Sequence, residues 1–299
     1  MDALYKVLTR SHNLQLLLAN LMAFSLGAGL AHYFGTPLPA HIYALGQVIS
    51  LALMYAAIYL REYFASTQPR YSYPIPAERA RRLGPKAVQN SLLITALACA
   101  TLATTLVIAA GRAAALNPLA IALLVTGVAG LLLISFPSLR MMESGAGEVI
   151  LAFLLSLILP AFSYSLAAAE IHRYLLFICL SQALLIVAAQ LVHQFSTYAA
   201  DSQTPRLNLL IRLGWQRAWH THNILLILAY ATLLAAGLQG LPWGILFPAA
   251  ITLPLAIWQT ILLASMAAGR KPQWPMMRSI SLAIPGLSLY LITFMFWIK

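Results

Sequence analysis

Nine stretches of about 20 mostly apolar residues follow one another along this chain, and that feature leaves few architectures open. Hydropathy places them at roughly 14–34, 42–64, 88–110, 117–137, 148–169, 174–196, 221–240, 243–268 and 279–298. A segment of this length and polarity crosses a bilayer as an α-helix, because lipid offers no partner to unpaired backbone groups. Charged residues make up only 8% of the chain against 61% hydrophobic ones, where a soluble domain carries about 25% charged. This excludes a water-soluble globule, a disordered chain and a coiled coil. The fold class expected is all-α, a polytopic membrane protein of nine transmembrane helices around a central cavity. The short connections make residues 1–299 a single transmembrane domain. Pro160, Pro248, Pro254 and Pro285 fall inside spans, which packed membrane helices tolerate. The first apolar run has no clear small-residue cleavage site and reads as a span. Cys99 and Cys179 lie in apolar runs and read as small core residues.

The net charge of +11 would suggest nucleic acid in a soluble protein, but here it describes topology, and no nucleic acid partner is expected. Lys6, Arg10, Arg61, Arg70, Arg79, Arg81, Arg82, Lys86, Arg140, Arg206, Arg212, Arg217, Arg270, Lys271 and Arg278 fall on the N-terminal side of the nine-span arrangement. Only Arg112, Arg173 and Lys299 fall on the other. Positive residues stay cytoplasmic, so the N-terminus is predicted in the cytoplasm and the C-terminus on the opposite side. Six of the seven acids, Asp2, Glu62, Glu78, Glu143, Glu148 and Asp201, share the basic side. Either they pair with nearby cations or they form a site at the cytoplasmic mouth of the bundle.

Two loops on that side are longer than the rest, from Arg61 to Ala87 and from Thr197 to Thr221. Both are basic, and each follows a span with a polar end. They could contact anionic headgroups or hold a phosphate over a cavity. His193, Thr197 and Asp201 are spaced so that an uninterrupted helix would put them on one face, as a relay, a metal site or a hydrogen-bonded patch. His220 and His222, beside Trp215 and Trp219, suit an interfacial belt, with a pigment or haem ligand as the alternative. Tyr55, Tyr63, Phe64, Phe153, Phe162 and Tyr164 lie along several spans, where helix packing accounts for them.

Three segments carry a family resemblance. Arg140 is followed by Gly145-Ala146-Gly147-Glu148, the stretch Arg61-Glu62-Tyr63-Phe64-Ala65 ends the second span, and Asp201 through Arg206 and Arg212 to Gly214 follows the sixth. In order and placement these resemble the motifs of the UbiA superfamily of intramembrane prenyltransferases, most closely the 1,4-dihydroxy-2-naphthoate prenyltransferases. The resemblance implies a cavity for an isoprenoid chain, aromatic walls, and two Asp-rich loops whose magnesium ions bind a polyprenyl diphosphate. It places a diphosphate or polar-mouth site at Arg61, Glu62, Arg70, Asp201, Arg206 and Arg212. Further polar candidates in the cavity are Tyr63, Arg140, Glu148, His193, Gln194 and Thr197.

The departures from the motif shape the functional expectation. Arg61 replaces Asn, Glu62 replaces Asp, Ala65 replaces the second Asp, Thr197 replaces the first Asp of the other loop, and Pro205-Arg206 replaces Gly-Lys. Two of four key carboxylates remain, so Glu62 and Asp201 are the metal ligands if there are any. Ionising an allylic diphosphate builds charge that metal ions normally stabilise. The expectation is a homologue with a degraded magnesium–diphosphate site. It would bind an isoprenoid, quinone or pigment tail and membrane lipid, or serve as a subunit of a membrane complex. The alternative is an active prenyltransferase with an Arg-assisted site, and only that reading calls for Mg²⁺ as cofactor.

The charge split generates a direct test of orientation. A reporter fused after Lys299 is expected to read as non-cytoplasmic, and one inserted between Arg61 and Ala87 as cytoplasmic. Both on one side would refute the nine-span arrangement.

Overall fold

The computed structural model describes residues 11–67, 86–112, 115–136, 139, 141, 144–203 and 208–299, without the side chains of residues 11 and 12. Among the described residues, nine helices are long and apolar enough to cross a membrane. They are α1 (Ser11–Tyr33), α2 (Ala40–Thr67), α3 (Lys86–Arg112), α4 (Pro118–Ser135), α5 (Ala146–Ala168), α6 (Arg173–Phe195), α7 (Trp215–Leu238), α8 (Trp243–Ala267) and α9 (Trp274–Ile298). Every predicted span has its helix. The largest differences are at α7 and α9, which begin before the apolar run does, at Trp215 and Trp274. The start of α7 carries Gln216, Arg217 and His220, and in α9 Pro275 occupies the first turn and Arg278 follows it.

The bundle is inverted relative to a soluble protein. Ile94, Leu97, Ile227, Leu238 and Phe247 face outward, while Asn20, Gln47, Gln182, His222, Gln259 and Ser288 are buried. Lipid is as apolar as leucine, so packing is driven by close backbone approach and by polar pairs between helices. Gln182 on α6 donates to Ser288 on α9 at 2.8 Å. His222 on α7 faces Gln259 on α8 at 3.4 Å. His222 is therefore a buried packing residue and not part of an interfacial belt. His220 stays at the surface, stacked on Trp219 with ring centroids 5.0 Å apart.

Helices α1, α5 and α6 are the most buried, and α3 and α4 the least. Helix α1 packs against α2, α5 and α9, whereas α6 packs against α5, α7 and α9. Helix α5 is not uniform: residues Leu154–Ile158 form a π turn, closed by the Leu159 N–H on the Leu154 carbonyl. Pro160 accounts for it. Proline has no N–H for the carbonyl four residues back, and its ring would collide with that carbonyl in a regular helix. The wider turn makes room.

The carbonyl of Pro160 is also where α1 comes closest. A Cβ placed on Gly27 would lie 2.0 Å from that oxygen, so only glycine permits this crossing. Gly27→Ala is expected to destabilise the bundle by at least the roughly 1–3 kcal/mol typical of overpacking, read as a lower melting temperature in detergent. Gly286→Ala, where nothing lies within 4 Å of the added carbon, should leave the melting temperature unchanged or raised.

Candidate functional site

The termini of α2 and α6 that carry the two motifs lie at the same end of the bundle, together with the starts of α1 and α5. At this end Arg61 on α2 donates through Nη2 to Asn13 Oδ1 on α1 at 3.1 Å. Glu62, one residue on, is buried with 4% exposure. Tyr63 packs edge-on against Phe64, and Phe64 meets Phe136 at the end of α4 with centroids 5.2 Å apart. Ile58 and Tyr59 of α2 share an apolar cluster with Leu151 and Leu155 of α5.

The start of α5 is held in turn by the other motif. Glu148, also buried, accepts at Oε1 from the Gln194 side-chain amide at 2.9 Å. The Gln194 carbonyl oxygen accepts from the Leu210 backbone N–H at 2.8 Å. One amide thus bridges α5, α6 and the segment after α6. Gly145, at φ +76, makes this possible: a Cβ there would lie 2.8 Å from the Leu209 backbone nitrogen. Arg212 closes the same contact by donating to the Ser144 carbonyl at 2.6 Å.

Helix α6 stops at Phe195, and Thr197, at φ −110 and ψ 2, breaks the helical path before the short turn Tyr198–Asp201. His193, Thr197 and Asp201 therefore do not share one helical face, and the interruption falls before Thr197 rather than only before Asp201. The break still brings Thr197 to Asp201. The Thr197 hydroxyl donates to Asp201 Oδ2 at 2.7 Å, and the Asn208 amide donates to the same oxygen at 2.9 Å. Asn208 also caps the turn Leu209–Leu213, accepting from the Ile211 N–H at 2.9 Å. Arg278 on α9 reaches Ser196 at the end of α6 at 2.6 Å. Arg70, Arg140 and Arg206 lie outside the described residues.

An apolar cavity of about 60 Å³ lies between α1, α2, α4 and α5. Leu123, Leu131, Leu154, Ile158 and Phe162 line it, with Asn20 and Ser50 as its polar residues. Of the aromatic candidates, Phe162 reaches the cavity, Phe153 is 45% exposed on the outer face, and Tyr164 is buried in the α1–α6–α9 core. Sequence reasoning passed over Asn13, Asn20, Gln47, Ser50 and Asn208. Their signal was available: polar residues within or beside apolar spans.

No protein-family model matches the sequence, and no curated protein does. Solved structures do match. A UbiA homologue from Aeropyrum pernix K1, without ligand, superposes with a TM-score of 0.67 over 92% of this chain and 96% of its own, at 18% identity. The chain has the UbiA fold. A digeranylgeranylglyceryl phosphate synthase structure aligns with a TM-score of 0.61 at 16% identity, covering 100% of this chain and 98% of that one. A UbiA homologue from Archaeoglobus fulgidus bound to GPP and Mg²⁺ aligns at 0.60 and 15%, covering 93% and 98%.

The Gln194 bridge is testable by itself. Gln194→Leu removes a donor to a buried carboxylate and an acceptor from a buried N–H, changes that cost about 1–3 kcal/mol each. The variant is expected to melt at a lower temperature. Cleavage by protease between Thr197 and Trp215 is expected to rise, because the Leu210 anchor is lost.

Proposed function

We propose that this protein binds an isoprenoid-type lipid in the α1–α2–α4–α5 cavity and has little capacity for magnesium-dependent prenyl transfer. The motif end would face the cytoplasm, a placement that the charge distribution supports. The observation that carries the reading is the state of Asp201. Its Oδ2 takes a hydroxyl from Thr197 and an amide from Asn208. Donors on that oxygen compete with a cation for the same lone pairs.

The donor set points the same way. Magnesium is held by carboxylates together with substrate phosphates. Among the described residues, no three His, Cys, Asp or Glu side chains converge on one point. Thr197 stands where the resembled motif has a carboxylate, and its hydroxyl donates a hydrogen bond to Asp201 instead. Arg61 brings positive charge beside Glu62. These residues do not fit a multi-ion magnesium cluster. The homologue bound to GPP and Mg²⁺ supports an isoprenoid as the class of ligand for this fold. The apolar lining of the cavity suits part of such a chain, about 60 Å³ being less than a whole isoprenoid needs.

The test is turnover. Purified protein with geranyl or farnesyl diphosphate, aromatic acceptors and magnesium is expected to transfer at least about 10²-fold more slowly than an ordinary enzyme, the loss that follows removal of one well-placed electrostatic group. Ordinary rates abolished by a chelator would overturn the proposal. Slow transfer that survives the chelator but disappears in Arg61→Ala would replace it with an Arg-assisted enzyme. Combining Arg61→Asn, Ala65→Asp and Thr197→Asp is expected to raise magnesium-dependent transfer.

A further inference from the structure

Counter-charge is distributed unevenly at the motif end of the bundle. Residues 202–299 hold no Asp or Glu. Asp201, the last acid of the chain, is buried and already accepts from Thr197 and Asn208. Beyond it, Arg217 lies in the opening turn of α7, Arg270 and Lys271 join α8 to α9, and Arg278 follows the first turn of α9. All four are exposed. Arg270, Lys271 and Arg278 belong to neither motif loop, and Arg217 lies beyond Gly214, where the second motif ends.

One apolar cluster gathers these cations. Phe195 of α6, Ala218 of α7, Leu263 of α8 and Met277 of α9 are buried in it, and Trp215, Trp219 and Trp274 pack around it. Arg217 and Arg278 adjoin Ala218 and Met277 in sequence, so the cations stand at the same end as the three tryptophans. Tryptophan gathered at the ends of membrane helices marks the headgroup layer. The Arg278 guanidinium is fixed there, donating through Nε and Nη2 to Ser196 Oγ at 3.0 and 2.6 Å. The guanidinium fork has further N–H donors to offer a ligand.

The helix ends add to the imbalance. An α-helix is positive at its start, where acids stabilise it and cations do not. Helix α5 has an acid in its first turn, Glu148. Helices α7 and α9 have none there and no side-chain cap, and each instead carries an arginine within its first five residues. An anion from outside the chain would offset both the cations and the helix ends. Deeper along the same helices, Ile224 on α7 and Ile261 on α8 are exposed at 55% and 58%, apolar surface of the kind that acyl chains cover. The combination of cations, tryptophans and apolar wall fits a phosphate that carries acyl chains.

We propose that the start of α7, the α8–α9 connection and the start of α9 form a docking surface for the phosphate headgroups of anionic phospholipid in the leaflet at the motif end. The surface needs neither the cavity nor a metal, so its failure would leave the proposed function standing.

The experiment is native mass spectrometry of the full chain released from detergent, with dioleoyl phosphatidylglycerol titrated against dioleoyl phosphatidylcholine. The anionic lipid is expected to bind at least about threefold more tightly, since each cation near an anionic surface contributes. The preference is expected to shrink as ionic strength rises, because exposed charges are screened. Arg217→Gln, Arg270→Gln, Lys271→Gln and Arg278→Gln together are expected to remove it. Arg112→Gln with Lys299→Gln, at the other end of the bundle, should leave it unchanged. If the fourfold variant loses its melting transition, Arg270→Gln with Lys271→Gln, outside the helices, serves, and the preference should fall by about half. Equal binding of the two lipids would overturn the inference. So would a preference that survives the substitutions, or one that the far-end variant removes as well, since net charge alone would then explain it. Displacement of the anionic lipid by inorganic pyrophosphate, at an ionic strength matched with sodium chloride, would assign the surface to a soluble phosphate and overturn the lipid as its occupant.

Discussion

A membrane interior offers no water to hydrogen-bond, and this constraint organises the molecule. Backbone groups are satisfied within helices, so the nine spans are helical, with a turn at Ile251–Thr252 inside α8. Side-chain polar groups turn inward and find one another across helix boundaries, as Gln182 finds Ser288 and His222 finds Gln259. Leucine and isoleucine gain nothing by hiding and so cover the outside. What remains to hold helices together is close approach, and Gly27 against the Pro160 carbonyl is its sharpest instance.

The same scarcity of partners gives the motif end its rigidity. Gln194 uses both ends of one amide, giving its N–H to Glu148 and its oxygen to Leu210. Asp201 likewise draws Thr197 and Asn208 onto a single oxygen. These contacts tie α5, α6 and the segment after α6 into one unit, with Gly145 making the approach possible. In this arrangement carboxylates act as internal acceptors. That role competes with holding a cation, and the proposed loss of metal chemistry follows from the same bonds that order the segment.

The nine spans were legible from hydropathy because each is long and each alternates in charge flank. Their first turns at Trp215 and Trp274 were not, since Arg217 in one, and Pro275 with Arg278 in the other, resemble a loop in sequence. The pairing of Thr197 with Asp201 was half visible: the spacing of four was apparent, but the helix break at Ser196–Thr197 was not, as nothing in Phe195-Ser196-Thr197 forbids a continued helix. Asn208 was invisible as a partner because its contact closes a loop. The contacts of Asn20 with Gln47 and Ser50 needed the register of α1 against α2, which no pattern in a single chain supplies. Arg70, Arg140 and Arg206 stand as expectations from the motif, outside the described residues.

The π turn of α5 gives the helix an extra residue in one winding, which offsets the angular phase of everything beyond Ile158 relative to what precedes Leu154. Glu148, on one side of the turn, and Phe162 and Tyr164, on the other, are therefore oriented independently, like two sections of a shaft joined by a coupling. Deleting one residue from this segment would restore an even winding and leave Phe162 and Tyr164 facing nearly as they do, because the wide turn takes up its extra residue within a single winding. One helix thus serves both the mouth and the cavity, with the sequence period of its inward-facing residues shifted by one position between them.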